Sequence, residues 1–261
     1  MEQLRTNDGT VISYERSGEG PPLILVHGAL GDHQSSWMLV KGPLSQRFTV
    51  YAMDRRGRGE STAASEHRLE DQFADVAALI ESIGEPVFVL GHSGGAWCAM
   101  GGAALRPELV RKLVLYEPPA LTSELVDVMD KLEDVAQREE WDVFVRAFLM
   151  AGPKIPAQQV DAIQGTPFWA PMVADAEATL WDLRALARVT RNEVDIARFA
   201  SLTMPVLLLA GSESPRDNYV TDQLAAVLPD QRIAELQGQA HIAQAMAPAL
   251  FVDTVSEFLL P

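Results

Sequence analysis

Ser93 stands at the centre of Gly91-His92-Ser93-Gly94-Gly95, a Gly-x-Ser-x-Gly pattern. A serine hydroxyl is a poor nucleophile at neutral pH and needs an adjacent base, a task that suits histidine. The chain has five histidines: His27, His33, His67, His92 and His241. Of these, His241 alone lies in a glycine-containing loop, Gly238-Gln239-Ala240-His241, between an expected last strand at 232–236 and a terminal helix. His33 and His67 have polar neighbours and are expected at the surface, while His92 lies inside the serine motif, where its side chain is expected to pack. No two histidines have metal-ligand spacing, so neither a metal site nor a cofactor is expected.

Gly-x-Ser-x-Gly alone is weak, because glycine-serine loops are common; its surroundings give it weight. Residues 86–90 read as a buried strand and residues 96–100 as the start of a helix. A turn this sharp strains its central residue and needs small residues two before and two after. It exposes the Ser93 hydroxyl at the end of the strand. It also places the Gly94 N–H at a helix N-terminus, where it can stabilise an oxyanion.

The remaining elements follow from periodicity. Asp8-Gly9 is a tight-turn pair, and the alternation across 10–15 predicts a hairpin. Solid apolar runs at 23–26, 48–53, 87–90, 113–116 and 206–210 suit parallel strands covered on both faces. A helix is predicted over 69–83, with Phe73, Val76, Ala77 and Ile80 on one stripe and Gly84 as its stop. Strands alternating with helices predict an α/β fold with an open, doubly wound, mostly parallel sheet. From 120 to 203 no strand pattern occurs, and helical spacing dominates at Val128, Met129, Leu132 and Val135, at Trp141, Phe144, Val145 and Phe148, and across 175–189. The expected organisation is therefore a core of 1–119 and 204–261, with a helical lid at 120–203 inserted after the sixth strand.

These motifs together resemble the α/β-hydrolase fold family. His27-Gly28 after the first inner strand resembles its oxyanion-loop motif, and the resemblance implies that Ala29 N–H joins Gly94 N–H in the oxyanion hole. Asp54-Arg55-Arg56-Gly57-Arg58-Gly59-Glu60-Ser61 resembles its Asp-x-Arg-Gly-x-Gly-x-Ser turn, which implies that Asp54 and Arg56 fix that turn and that His27 is structural. The loop ending in His241 resembles the catalytic-histidine loop. The matches occur in the family's order across nearly the whole chain outside the lid.

One departure matters. Most members carry the triad acid after the seventh strand, where this chain has Ser214 in Gly211-Ser212-Glu213-Ser214. Three carboxylates are in reach. Glu213 should point away from an inward-facing neighbour. Asp217 suits a helix N-terminus, where acids serve simply as caps. Glu117, in Tyr116-Glu117-Pro118-Pro119, ends the strand beside the one that carries Ser93. Haloalkane dehalogenases and fungal zearalenone lactonases hold their acid after this sixth strand, and the lactonases also lack the later Asp. Glu117 is the expected acid and Asp217 the alternative.

The resemblance implies hydrolysis of a carboxylic ester or lactone through an acyl-enzyme on Ser93. Its alternatives are C–C bond hydrolysis, cofactor-free perhydrolysis, or a ligand-sensing protein with little turnover. Trp169, in a segment similar to one in the lactonase lid, and Trp181 are the expected substrate-binding rings for a hydrophobic small molecule. The net charge of −15 disfavours nucleic acid and anionic membranes. No basic n-region followed by an apolar stretch opens the chain, and no apolar run is long enough to cross a bilayer. The single cysteine, Cys98, suits a reducing compartment, so a cytoplasmic enzyme is expected.

Overall fold

The apolar runs become the inner strands of one eight-stranded sheet in the computed structural model, which describes residues 1–62, 66–120, 123–191 and 196–260. The hairpin expected around Asp8-Gly9 forms from β1 (Glu2–Arg5) and β2 (Val11–Ser17). β3 (Pro22–Val26), β4 (Thr49–Met53), β5 (Val87–His92), β6 (Val110–Tyr116), β7 (Val206–Gly211) and β8 (Gln231–Leu236) follow in parallel. The order across the sheet is β1-β2-β4-β3-β5-β6-β7-β8, with β1 and β2 antiparallel at one edge.

The helices between these strands are α1 (Lys41–Ser45), α2 (Leu69–Ile83) and α3 (Gly94–Leu105). α2 has the predicted limits because Gly84, at φ 77°, supplies the left-handed residue that ends it. After β6 come α4 (Ser123–Ala136), α5 (Trp141–Ala151), α6 (Ala157–Gln164), α7 (Trp169–Ala174) and α8 (Ala176–Arg191). α9 (Thr221–Val227), α10 (Ala243–Met246) and α11 (Pro248–Leu259) complete the chain.

Strand side chains alternate between two buried layers, as expected of a sheet covered on both faces. Ile24, Val26, Val89 and Leu115 face a core shared with α2, α3 and α9. Leu23, Leu25, Leu90 and Tyr116 face a second core shared with α1 and α11. A third cluster lies within the inserted helices, where Leu132, Phe144, Val145, Trp169 and Leu183 pack together, joined by Leu30 from the loop after β3. Residues 121–122 and 192–195 of the insertion expected at 120–203 lie outside the described residues. Among the described residues, no helix is long and apolar enough to cross a membrane.

The connection after β3 runs outward to β4, and the one after β5 runs the opposite way to β6. A crevice opens at the carboxyl ends of β3 and β5, the kind of switch point where ligands bind in open α/β sheets. The loop holding Ala29 and the turn holding Ser93 meet there.

Candidate active site

Ser93 links β5 to α3 with φ 54° and ψ −128°, a conformation that side-chain-bearing residues rarely adopt and that costs about 1–3 kcal/mol. Its surroundings hold it there. Ser93 N–H donates to Tyr116 O at 2.9 Å, and Ser93 O accepts from Ala96 N–H at 2.9 Å. The flanking glycines are obligatory: a Cβ on Gly91 would lie 2.5 Å from Gly95 O, and one on Gly95 would lie 2.2 Å from His27 O. As the first residue of α3, Gly94 has no intrahelical acceptor for its N–H.

Glu117 follows β6 directly and is fully buried. Its Oε2 lies 2.6 Å from His241 Nδ1, and its Oε1 accepts the Gly211 N–H at 2.7 Å. A carboxylate only accepts, so the geometry assigns the His241 proton to Nδ1 and leaves Nε2 as the basic nitrogen. Ser93 and His241 line the same cavity. Among the described residues the serine hydroxyl makes no hydrogen bond to the imidazole.

Asp217 is exposed in a short turn (Arg216–Asn218), and Glu213 is exposed as well. Ser214, at the usual acid position, is buried, and its hydroxyl has no hydrogen-bond partner among the described residues. Sequence reasoning missed Tyr219. Its ring stacks on His241 at 5.3 Å and 15°, and burial together with the Glu117 charge pushes its phenol up. Tyr116, the last residue of β6, has a second task that the strand pattern does not signal. Its hydroxyl binds Ala240 O and accepts the Ala243 N–H at 3.1 Å, stapling both sides of the histidine loop. His92 packs as expected: its Nε2 lies 2.8 Å from His241 O, and burial holds it well below the usual histidine range, so it is neutral.

The expected surface positions of His33 and His67 are corrected: both are buried. Polar neighbours in sequence meant buried ionic partners rather than solvent. His33 Nδ1 and N–H each lie 2.8 Å from Asp54 Oδ1, and Asp54 Oδ2 takes the Glu60 N–H at 3.0 Å, which fixes the turn. Arg56 acts separately, with bonds of 2.6 and 2.7 Å to Asp75. His67 Nε2 is 3.1 Å from Asp182 on α8.

The cavity, of about 200 Å³, is walled largely by apolar side chains such as Leu30, Phe148, Met172 and Leu186. The expected ring contacts are also corrected. Neither Trp169 nor Trp181 lines this cavity. Trp169 is buried in the core of the insertion, with Nε1 donating to Asp142 at 2.5 Å. Trp181 lies under the Arg184 guanidinium at 4.4 Å, in a separate surface groove. Helical periodicity shows that an aromatic faces something apolar, but not whether that is a neighbouring helix or a ligand. Among the described residues, no group of three His, Cys, Asp or Glu side chains could hold a metal ion.

Comparison with known proteins adds a family to this geometry. A family model described as the alpha/beta hydrolase family matches residues 23–254. An alpha/beta hydrolase from Sphaerobacter thermophilus superposes with a TM-score of 0.86 at 31% identity, covering 99% of this chain and all of that one. The enol-lactonase from Burkholderia xenovorans has a TM-score of 0.77 at 21% identity, over 99% of both chains, a likeness of fold. In sequence, the chain is 24% identical to a 2-(acetamidomethylene)succinate hydrolase from Mesorhizobium japonicum, over 95% of this chain and 91% of that protein.

Proposed function

The chain belongs to the alpha/beta hydrolase family, and from that premise we propose that it is a serine hydrolase cleaving a carboxylic ester or lactone of a hydrophobic small molecule. The observation that carries the proposal is the bond between His241 Nδ1 and the buried Glu117 carboxylate, which leaves Nε2 as the basic nitrogen of a residue that lines the cavity together with Ser93.

In the proposed mechanism, His241 Nε2 accepts the Ser93 proton as Oγ attacks the substrate carbonyl. The N–H groups of Ala29 and Gly94 stabilise the oxyanion. His241 then passes the proton to the leaving alkoxide, and the acyl group stays on Ser93. A water, deprotonated by the same imidazole, attacks the acyl carbon, and collapse returns the proton to Ser93 and releases the acid. Glu117 stabilises the imidazolium in both halves. The apolar walls favour a neutral substrate, and the inserted helices cover it as a lid. The enol-lactonase among the similar proteins supports a hydrolase of this kind, and the succinate-derivative hydrolase supports hydrolysis more broadly. Serine at the turn, where the family's epoxide hydrolases and haloalkane dehalogenases use aspartate, favours an acyl-enzyme.

A fluorophosphonate probe tests the proposal, followed by a panel of aryl esters, lactones and β-diketones. Labelling at Ser93, lost in Ser93→Ala, together with turnover of esters or lactones, is the expected result. Folded wild-type protein that takes no label would overturn it, and turnover of β-diketones alone would replace ester chemistry with C–C cleavage.

A further inference from the structure

Ala29 sits between two peptides that are both anchored by side chains. On one side, the Gly28 carbonyl lies 2.8 Å from His27 Nδ1 and 3.2 Å from Arg55 Nη1. The Arg55 N–H donates to His27 Nε2 at 3.1 Å, so the ring's own proton is on Nδ1 and points at Gly28 O. Burial, reinforced by Arg55 and Arg58, holds His27 down at about 3, so it stays neutral. The peptide is trans, so fixing the Gly28 carbonyl fixes the Ala29 N–H in the opposite direction. Two donors on that carbonyl, one of them cationic, also polarise the peptide and strengthen the N–H as a donor.

On the other side, Leu30 has a left-handed backbone, φ 54°, and donates its N–H to Thr179 Oγ1 on α8 at 3.2 Å. Its side chain is buried in the insertion's own core. Arg55 leads to the same helix: its Nη2 donates to Asp182 Oδ2 at 2.6 Å, and Gln72 bridges the two, accepting from Arg55 and donating to Asp182 Oδ1 at 2.9 Å. All the N–H groups of the Arg55 guanidinium have acceptors, in Gln72, Asp182, His27 O and Gly28 O. Arg55 therefore acts on the loop, and with Thr179 and Asp182 it also borders the cavity.

We infer that α8 of the insertion sets the oxyanion hole: Thr179 and Asp182, three residues apart on that helix, hold the peptides on either side of Ala29 so that its N–H aims at the developing charge. Thr179 and Asp182 are positioning residues, and a covering helix becomes a working part of the catalytic centre. This inference rests on the proposed function, with Ser93 as nucleophile and Ala29 as donor.

The test compares Thr179→Val, Thr179→Ser and Asp182→Asn, using p-nitrophenyl acetate for kcat and KM and phenylboronic acid as a tetrahedral mimic. Removing a whole oxyanion donor costs about 10²–10³ in kcat, so misaiming one should cost roughly 10- to 100-fold. The expected result for Thr179→Val is that loss in kcat, an equal loss of boronate affinity, and a KM within about twofold of wild type. Thr179→Ser keeps the acceptor and should recover most of both. Asp182→Asn should show the same pattern, and if it fails to fold, the Thr179 pair decides. A folded Thr179→Val with unchanged kcat and boronate affinity would overturn the inference while leaving Ser93 chemistry intact. Wild-type protein inert to fluorophosphonate would instead remove the proposed function, and this inference with it.

Discussion

The Glu117 carboxylate lies 2.6 Å from His241 Nδ1, reaching the imidazole from the end of β6 and not from the loop after β7. The register explains how. Tyr116 pairs with Leu209, and the Glu117 N–H donates to Leu209 O at 3.1 Å, so the next residue along the sheet edge is Glu117 itself. Its positive φ of 49° and the Gly211 N–H then aim the carboxylate toward the histidine loop.

This geometry predicts a sharp contrast between two carboxylates. Glu117→Gln should lower kcat by up to about 10⁴ with the fold retained, because the amide can hold the wrong tautomer. Asp217→Asn should leave kcat within about twofold, since that side chain is exposed. Steady-state kinetics and circular dichroism on both variants check the assignment; the reverse ranking would move the acid to the other loop.

The corrected position of Trp169 separates stability from specificity. Trp169→Phe removes the donor to Asp142 and should cost about 1–3 kcal/mol in urea unfolding, with KM nearly unchanged. Phe148→Ala strips a wall of the cavity and should raise KM by about tenfold or more. A large KM effect in the tryptophan variant would return that ring to the substrate.

Asp175 carries a pH signature. Burial raises its carboxyl from 3.8 to about 6, with the charges of Asp32, Asp54 and Asp182 adding to the rise and Arg58 opposing it. Between about pH 4 and 6 the folded chain keeps a proton that the unfolded chain has released, so this group's stabilisation falls as pH rises through that window and is gone above it. Asp175→Asn should therefore be more stable than wild type at pH 7, on the order of 1–3 kcal/mol, and the difference should shrink toward pH 4. Urea midpoints across this range decide it. A difference independent of pH would contradict the assigned shift.

Cys98 gives a probe of the interior beneath Ser93. It is fully buried on α3 with its sulfur 3.4 Å from Gly94 O, and burial raises its thiol. Ellman's reagent should leave the folded protein unmodified and react with one thiol after denaturation. Rapid modification under native conditions would show that α3 opens beneath the Ser93 turn.

The serine turn, the parallel strands and the limits of α2 were legible because each has a local cause. These are steric exclusion at Gly91 and Gly95, unbroken apolar runs, and a left-handed stop at Gly84. The contact between Glu117 and His241 could be inferred from the resemblance to families that carry a carboxylate after the sixth strand. Tyr219 could not, since nothing nearby in sequence signals a ring stacked on an imidazole 22 positions away. His33, His67 and Arg55 were misjudged or passed over for the same reason. Their ionic partners, Asp54 and Asp182, lie 21 to 127 residues distant, and polar neighbours in sequence look alike whether they face water or a buried charge. Trp169 and Trp181 differ in kind from these: a periodic stripe identifies an inward face without identifying what lies inside.

The ties from α8 to the loop after β3 bear on how far such proteins are modular. Covering segments are natural targets for exchange between homologues, on the assumption that a scaffold supplies the reactivity and a graft supplies the selectivity. In this chain the boundary between the two runs through Thr179, Asp182 and Leu30. On the proposed mechanism, a chimera carrying foreign helices would keep Ser93, His241 and Glu117, yet lose its aim at the carbonyl oxygen unless the hydroxyl and the carboxylate came across at the same spacing.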